Sequence, residues 1–171
     1  MKAFGVAVVI VLCAAVTGVG STSAPRGQEK AAEPKPPTVL FMCPHGAAKS
    51  VLASAYFKRL AKERGLNVRV ESAGTEPDPT VSPAVAAHLK RQGYTVPVGK
   101  PRKVTTQEMA AADVVISIGC DLSGVPAPRG QLQRWDEVPA LSEDLAKADG
   151  AIRQRVVALV EELLTAKPSK Q

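Results

Sequence analysis

The residues best suited to chemistry form one short stretch, Cys43-Pro44-His45-Gly46-Ala47-Ala48-Lys49-Ser50. An apolar run precedes Cys43 and a helical pattern follows, so the cysteine ends a strand while Lys49 and Ser50 open a helix. Backbone N–H groups and the helix dipole at such a turn attract an anion. The same field favours the thiolate, the reactive form of cysteine. We therefore predict a small-oxyanion site with Cys43 as its nucleophile; a purely structural buried cysteine is the alternative.

Strands and helices alternate along the rest of the chain. Apolar patterns predict strands over 38–42, 68–70, 114–118 and 131–135. Helices are expected over 50–64, from 82 or 83 to 92, from 105 or 106 to 112, and over 145–163. This order predicts a single doubly wound α/β domain with a small, about four-stranded parallel sheet flanked by helices. In such sheets ligands bind at the carboxyl ends of the strands, where the first strand-to-helix turn lies.

Composition excludes several classes of protein. The chain has 171 residues, of which 45% are hydrophobic and 4% aromatic, so an aliphatic core replaces an aromatic one. A disordered chain would be less apolar, and a disulfide scaffold would have more than three cysteines. The formal net charge of +6 is scattered, and few aromatics are available for base stacking. We therefore predict no nucleic-acid partner and favour a small anionic ligand.

The N-terminal region has the order of a secretory signal. Lys2 precedes an uncharged apolar run over 3–20, and small residues follow it. We predict a cleaved signal peptide over 1–23, with an uncleaved membrane anchor as the alternative. A proline-rich linker over 24–37 then leads to the domain over 38–165 and a polar tail over 166–171. Both readings place the domain outside the cytoplasm, in the periplasm or secreted, and it contacts a membrane only if the segment is uncleaved.

Several landmarks resemble one enzyme family. The spacing of Cys43, Lys49 and Ser50 is similar to the Cys-x5-Arg-Ser loop of low-molecular-weight protein-tyrosine phosphatases and their thioredoxin-linked arsenate reductase relatives. Glu71-Ser72-Ala73-Gly74-Thr75-Glu76-Pro77 resembles the Ser-Ala-Gly-Thr segment after the family's second strand. The run over 112–120 resembles a strand of the arsenate reductase branch, and Trp135-Asp136 lies where the family carries its acid loop.

The resemblance implies a mechanism and a set of site residues. Cys43 would attack phosphorus or arsenic, Ser50 would support its sulfur, and Lys49 would hold the oxyanion. The substrate would be a small oxyanion or a phosphorylated molecule, and no cofactor is implied. The residues expected to surround the oxyanion are His45, Gly46, Ala47, Ala48 and Lys49.

Three departures favour a second hypothesis. Lys49 replaces arginine and lacks its two-pronged fork, and Pro44 removes one backbone donor from the loop. No Asp-Pro pair follows Trp135, so Asp136 is the nearest candidate acid, although a solvated loop carboxylate is the favoured reading of that residue. The alternative function is therefore a non-catalytic domain that binds an oxyanion or a partner protein.

Cys120 raises the question of redox chemistry. In the arsenate reductase branch a cysteine here attacks the adduct on the nucleophile, but residues 121–131 contain no further cysteine to complete the relay. The resemblance therefore implies an external thiol reductant. A Cys43–Cys120 disulfide, or a protein that cycles between the two, is a further alternative. His45 and Cys43 form too small a ligand set to predict a metal site, and His45 is otherwise expected to support the thiolate or to be an ordinary loop residue.

Overall fold

Four parallel strands form the sheet in the computed structural model, which describes residues 35–166. The strands are β1 (Thr38–Cys43), β2 (Arg69–Gly74), β3 (Val114–Ser117) and β4 (Gln131–Arg134). The helices are α1 (Lys49–Glu63), α2 (Pro83–Arg91), α3 (Thr106–Ala111) and α4 (Leu145–Thr165). The signal, the linker before residue 35 and the tail after residue 166 lie outside the described residues. Among the residues described, no helix has the length and apolar character needed to cross a membrane.

The predicted α/β fold is confirmed, with strand order β2-β1-β3-β4 and every pairing parallel. Strand β1 lies between β2 and β3 and is buried on both faces, as its continuous apolar run predicts. Val39 and Phe41 pack into the core that also takes residues from α1, α2 and α4. Leu40 and Met42 point to the opposite face, where Met109 of α3 packs. The carboxyl end of β1 is thus fixed from both sides.

Strand β2 differs most from its prediction over 68–70. It continues to Gly74 because its backbone pairs with β1 through the register Cys43↔Gly74, although Glu71 and Ser72 break the apolar run. An edge strand needs only one neighbour and one buried face, so polar residues are tolerated there. Helix α1 begins at Lys49, one residue earlier than expected, and β3 ends at Ser117, one residue earlier.

Helices α1, α2 and α4 are joined by a buried polar cluster around Asp149 that the apolar pattern did not predict. The Asp149 carboxylate accepts hydrogen bonds from the Tyr56 hydroxyl and from Arg153 Nε, the latter at 2.9 Å. His88 Nε2 lies 3.1 Å from the same carboxylate. The Arg153 guanidinium also lies 3.9 Å from the centre of the Tyr56 ring. Four polar side chains therefore satisfy one another inside the helical layer.

The cluster sets the charge state of Asp149. Burial alone would raise the pKa of this carboxyl, but hydrogen bonds from Tyr56 and Arg153 outweigh it and hold the pKa below its ordinary value of 3.8. A carboxyl with a lowered pKa stabilises the fold above its unfolded pKa, and this contribution is lost as the pH falls through the folded pKa.

Replacing Asp149 with asparagine should therefore destabilise the domain. We expect a loss of about 1.5–3 kcal/mol at neutral pH, because Arg153 and Tyr56 lose a charged acceptor. The loss should begin to shrink below about pH 4, where the carboxyl of the unfolded chain takes up a proton, and should disappear once the pH is below the lowered pKa of the folded carboxyl. Urea unfolding of Asp149→Asn measures it, with Glu161→Gln in an exposed ion pair as the control, expected within about 0.5 kcal/mol of the parent. Equal loss in both variants, or a loss independent of pH, would contradict this account.

Candidate active site

Cys43 ends β1 and is 3% exposed, at the start of the loop over 44–48. Its thiol donates a hydrogen bond to Ser50 Oγ at 3.2 Å, and a thiolate at the same place would accept one from that hydroxyl. Helix α1 begins without a side-chain cap and without an acidic residue in its first turn. Its first N–H groups and the positive end of its dipole therefore remain available to an anion beside the sulfur.

The loop after Cys43 is held by the segment over 75–82. The carbonyl oxygens of the loop accept main-chain hydrogen bonds from this segment. The Pro44 carbonyl accepts from the Glu76 N–H at 2.8 Å, and the His45 carbonyl accepts from the Asp78 N–H at 3.0 Å. The carbonyl of Ala47 likewise accepts from the amide of Ser82 at 3.0 Å. Since the C=O and N–H of one peptide unit point in opposite directions, the N–H groups following these carbonyls face away from the 75–82 segment.

Two glycines allow this close approach. Gly46 has a φ of 60°, and a Cβ on it would lie 2.8 Å from the Gly74 nitrogen. A Cβ on Gly74 would lie 2.5 Å from the Gly46 nitrogen and 2.8 Å from the Pro44 oxygen. All three distances are too short for a real Cβ atom, so the loop and the end of β2 meet only because both residues lack a side chain.

The expected oxyanion donors divide into two groups. The Gly46 N–H donates to the Cys43 carbonyl at 3.2 Å, so the prediction of a free donor at Gly46 is corrected: its proton closes the turn. The N–H groups of Ala47, Ala48 and Lys49 donate to no acceptor within residues 35–166. Of the residues expected around the oxyanion, Ala47, Ala48 and Lys49 therefore present available amides at the helix start.

The Lys49 ammonium lies near the chain segments that follow β3 and β4. Its Nζ donates to the Val138 carbonyl at 3.4 Å, and a Cβ built on Gly119 would lie 3.0 Å from Nζ. Gly119 has a φ of 69° and leaves the room that the ammonium needs. Lys49 thus supplies a positive charge to the site of Cys43. The Val138 carbonyl holds its ammonium, and Gly119 leaves space for it.

A cavity of about 520 Å³ opens beside the sulfur. Cys43, His45 and Lys49, all expected at the site, line it together. The His45 side chain is about 63% exposed, and its Nδ1 lies 3.3 Å from Asp78 Oδ1. The spacing of the motif did not point to the other lining residues, which come from the start of α2 and the segment before it, and from the start of α4 and the chain before it: Asp78, Ser82, Ala84, Val85, Ala140, Leu141, Ser142 and Leu145.

Asp136 is absent from the lining of this cavity. Its carboxylate accepts from Arg134 Nε at 2.7 Å, and both side chains are about half exposed. This arrangement fits a solvated loop carboxylate rather than an acid directed at Cys43. Within residues 140–145, where the chain approaches the cavity, the lining residues carry no ionisable group.

Cys120 lies just after β3 and packs with Leu40 and Met42 on the face opposite Cys43's own cluster. Both cysteines are free thiols. Burial raises the pKa of the Cys120 thiol, and the nearby Cys43 raises it further, so Cys120 is held in its protonated form. Within the described residues, no group of three or more His, Cys, Asp or Glu side chains is arranged to hold a metal ion.

Adding a side chain between Gly46 and Gly74 should lower both the stability of the domain and its affinity for phosphate. Gly74→Ala places a Cβ inside the van der Waals distance of the loop backbone, which must move, and we expect a loss of about 1–3 kcal/mol in stability. Phosphate affinity, measured by calorimetry, should fall with it. Gly124→Ala is the matched control, because its Cβ meets nothing within 4 Å. Unchanged phosphate affinity in Gly74→Ala would refute the role given to this contact.

Comparison with known proteins identifies the family. The model of the low molecular weight phosphotyrosine protein phosphatases matches residues 38–128. A Halobacterium salinarum protein named "Putative arsenate reductase" is 28% identical over 127 residues, which are 71% of this chain and 89% of the relative. A protein-arginine-phosphatase of Bacillus subtilis is 34% identical over 83 residues, or 47% of this chain and 54% of that protein.

A solved structure agrees with this result. A thioredoxin-dependent arsenate reductase from Corynebacterium glutamicum aligns with a TM-score of 0.69 and 27% identity. The alignment covers 78% of this chain and 65% of that one, slightly under two thirds of its length. The resemblance inferred from the motifs is therefore confirmed. The chain belongs to the low molecular weight phosphotyrosine protein phosphatase family.

Proposed function

We propose that this protein is a cysteine-dependent enzyme that transfers a phosphoryl group from a phosphomonoester to Cys43 and then to water. The observation that carries the proposal is the position of the buried sulfur. Cys43 Sγ lies 3.2 Å from Ser50 Oγ, at the start of a helix whose first amides are uncapped. A nucleophile and an anion site share one turn, which is the arrangement that covalent phosphoryl transfer needs.

The proposed reaction has two steps. In the first, the S–P bond forms as the ester P–O bond breaks, and the departing oxygen takes up a proton. In the second, water attacks phosphorus, the S–P bond breaks, and phosphate leaves with the thiolate restored. A hydrogen bond from the Ser50 hydroxyl stabilises the thiolate before attack and again after phosphate leaves. The amides of residues 47–49 bind the phosphoryl oxygens.

Arsenate reduction is a second candidate, and the position of Cys120 favours it. Arsenate would form a Cys43–S–As bond as one As–O bond breaks and its oxygen leaves as water; a second thiol would then attack Cys43 sulfur and form a disulfide, and the electron pair of the broken S–As bond would stay on arsenic as arsenite. Cys120 follows β3, the strand that pairs with β1, so the two buried thiols lie at the same edge of the sheet. An external thiol reductant would restore both cysteines, in keeping with the thioredoxin-dependent relative.

We also propose that the domain works outside the cytoplasm. The support is the apolar run over 3–20 after Lys2 and the proline-rich stretch that separates it from β1.

The purified full chain, fully reduced, should hydrolyse 4-nitrophenyl phosphate. Cys43→Ser should remove turnover, because serine is a much weaker nucleophile at this position. Cys120→Ser is the matched control, since it also removes a buried thiol but should keep phosphatase activity. Turnover that survives in Cys43→Ser would refute the proposed nucleophile. If the parent binds phosphate without turning over ester or arsenate, the chain is instead the non-catalytic oxyanion-binding domain.

Lys49 should determine oxyanion affinity through its charge. Lys49→Met removes the ammonium and should weaken phosphate or vanadate binding at least about tenfold, as expected for the loss of a charge-assisted contact. Lys49→Arg keeps the charge and adds a planar fork, so it should bind at least as tightly as the parent. Calorimetric titration measures both variants. Equal affinity in Lys49→Met and the parent would show that the amides alone bind the anion.

A further inference from the structure

We propose that His45, oriented by Asp78, donates the proton to the leaving oxygen when Cys43 attacks a phosphomonoester; this inference rests on the proposed function. Among the described residues, the cavity beside the sulfur has four ionisable side chains: Cys43, His45, Lys49 and Asp78. Cys43 is the proposed nucleophile, and Lys49 is the cation expected to hold the oxyanion. The proton that the leaving group needs must therefore come from the remaining pair or from water.

His45 and Asp78 are in contact through both the main chain and the side chains. Asp78 N–H donates to the His45 carbonyl at 3.0 Å, while His45 Nδ1 lies 3.3 Å from Asp78 Oδ1. Because the Asp78 carboxylate faces Nδ1, it can accept a hydrogen bond from a proton on that nitrogen. The other ring nitrogen, Nε2, is then the group that can exchange a proton with a substrate. The half-exposed side chains lie on the cavity wall, where a leaving group would depart.

Other carboxylates near the loop are less suited. Asp136 pairs with Arg134 and does not line the cavity. Glu76 also belongs to the segment that holds the loop, but it lines a different cavity, of about 660 Å³, together with Lys103. Within the described part of the chain, Asp78 is thus the carboxylate that lines the wall beside Cys43.

The proton path balances over the two chemical steps. As Cys43 Sγ bonds to phosphorus and the ester bond breaks, the leaving oxygen takes the proton from Nε2 of the His45 imidazolium. Neutral His45 then accepts a proton at Nε2 from the water that attacks the thiophosphate. The thiolate and the imidazolium are both restored when phosphate leaves. Asp78 acts through His45 and is therefore a positioning residue.

The test compares two leaving groups. 4-Nitrophenolate is a good leaving group without protonation, whereas phenolate leaves slowly unless an acid protonates its oxygen. His45→Asn should lower kcat/KM for phenyl phosphate by about 10²-fold, within the range measured for general acids, while turnover of 4-nitrophenyl phosphate is largely kept. Asp78→Asn should show a smaller loss with the same selectivity. A purely structural role for either residue would slow both esters equally.

Glu76→Gln is the matched control and should keep the parent's ratio of the two rates. Equal losses on both esters in His45→Asn and Asp78→Asn would overturn the proposal. A selective loss that is larger in Asp78→Asn than in His45→Asn would also overturn it, because Asp78 would then be the direct donor. Failure of the parent to turn over either ester would refute the proposed function, and this inference with it. Cys43-dependent turnover without leaving-group selectivity would refute this inference alone.

Discussion

The contact between the loop after Cys43 and the end of β2 is the constraint on which the site depends. Glycines at 46 and 74 let the two backbones approach, and the amides of residues 76, 78 and 82 hold the loop carbonyls. With its carbonyls held from one side, the loop leaves amides at the start of α1 for an anion. The parallel sheet fixes the position of the sulfur, because β1 is buried on both faces and Cys43 is its last residue.

Charge at the site is distributed differently from the family pattern that the motif resembles. A lysine at residue 49 is a point charge, and the amide of Gly46 is used within the turn, so fewer directional donors surround the oxyanion. The carboxylate expected after Trp135 does not line the cavity, and the chain over 140–145 contributes apolar and hydroxyl residues there instead. The Asp78–His45 pair lines the same cavity, so the carboxylate of the site comes from the segment that holds the loop. The oxyanion-binding amides, the Cys43 nucleophile and the proposed proton donor would then all depend on the contact between the loop and the end of β2.

Much of this arrangement could be predicted from local signals. The run before Cys43 and the periodicity of the helices predict the order of the elements, because each pattern reflects burial of its own segment. Asp78 could not be found in this way, since its place beside His45 depends on the register between β1 and β2. The same holds for Asp149, whose burial follows from the packing of three helices around a polar cluster. Local patterns identify which residues could react, whereas tertiary contacts decide which of them meet.

The central claim is that Cys43 becomes covalently phosphorylated. The most direct measurement is rapid acid quenching of the full chain during turnover of 4-nitrophenyl phosphate, followed by peptide mapping by mass spectrometry. We expect phosphate on the peptide that carries Cys43, absent from the Cys43→Ala variant and unaffected by Cys120→Ser. Turnover without phosphate on this peptide, or phosphate on another residue, would contradict it.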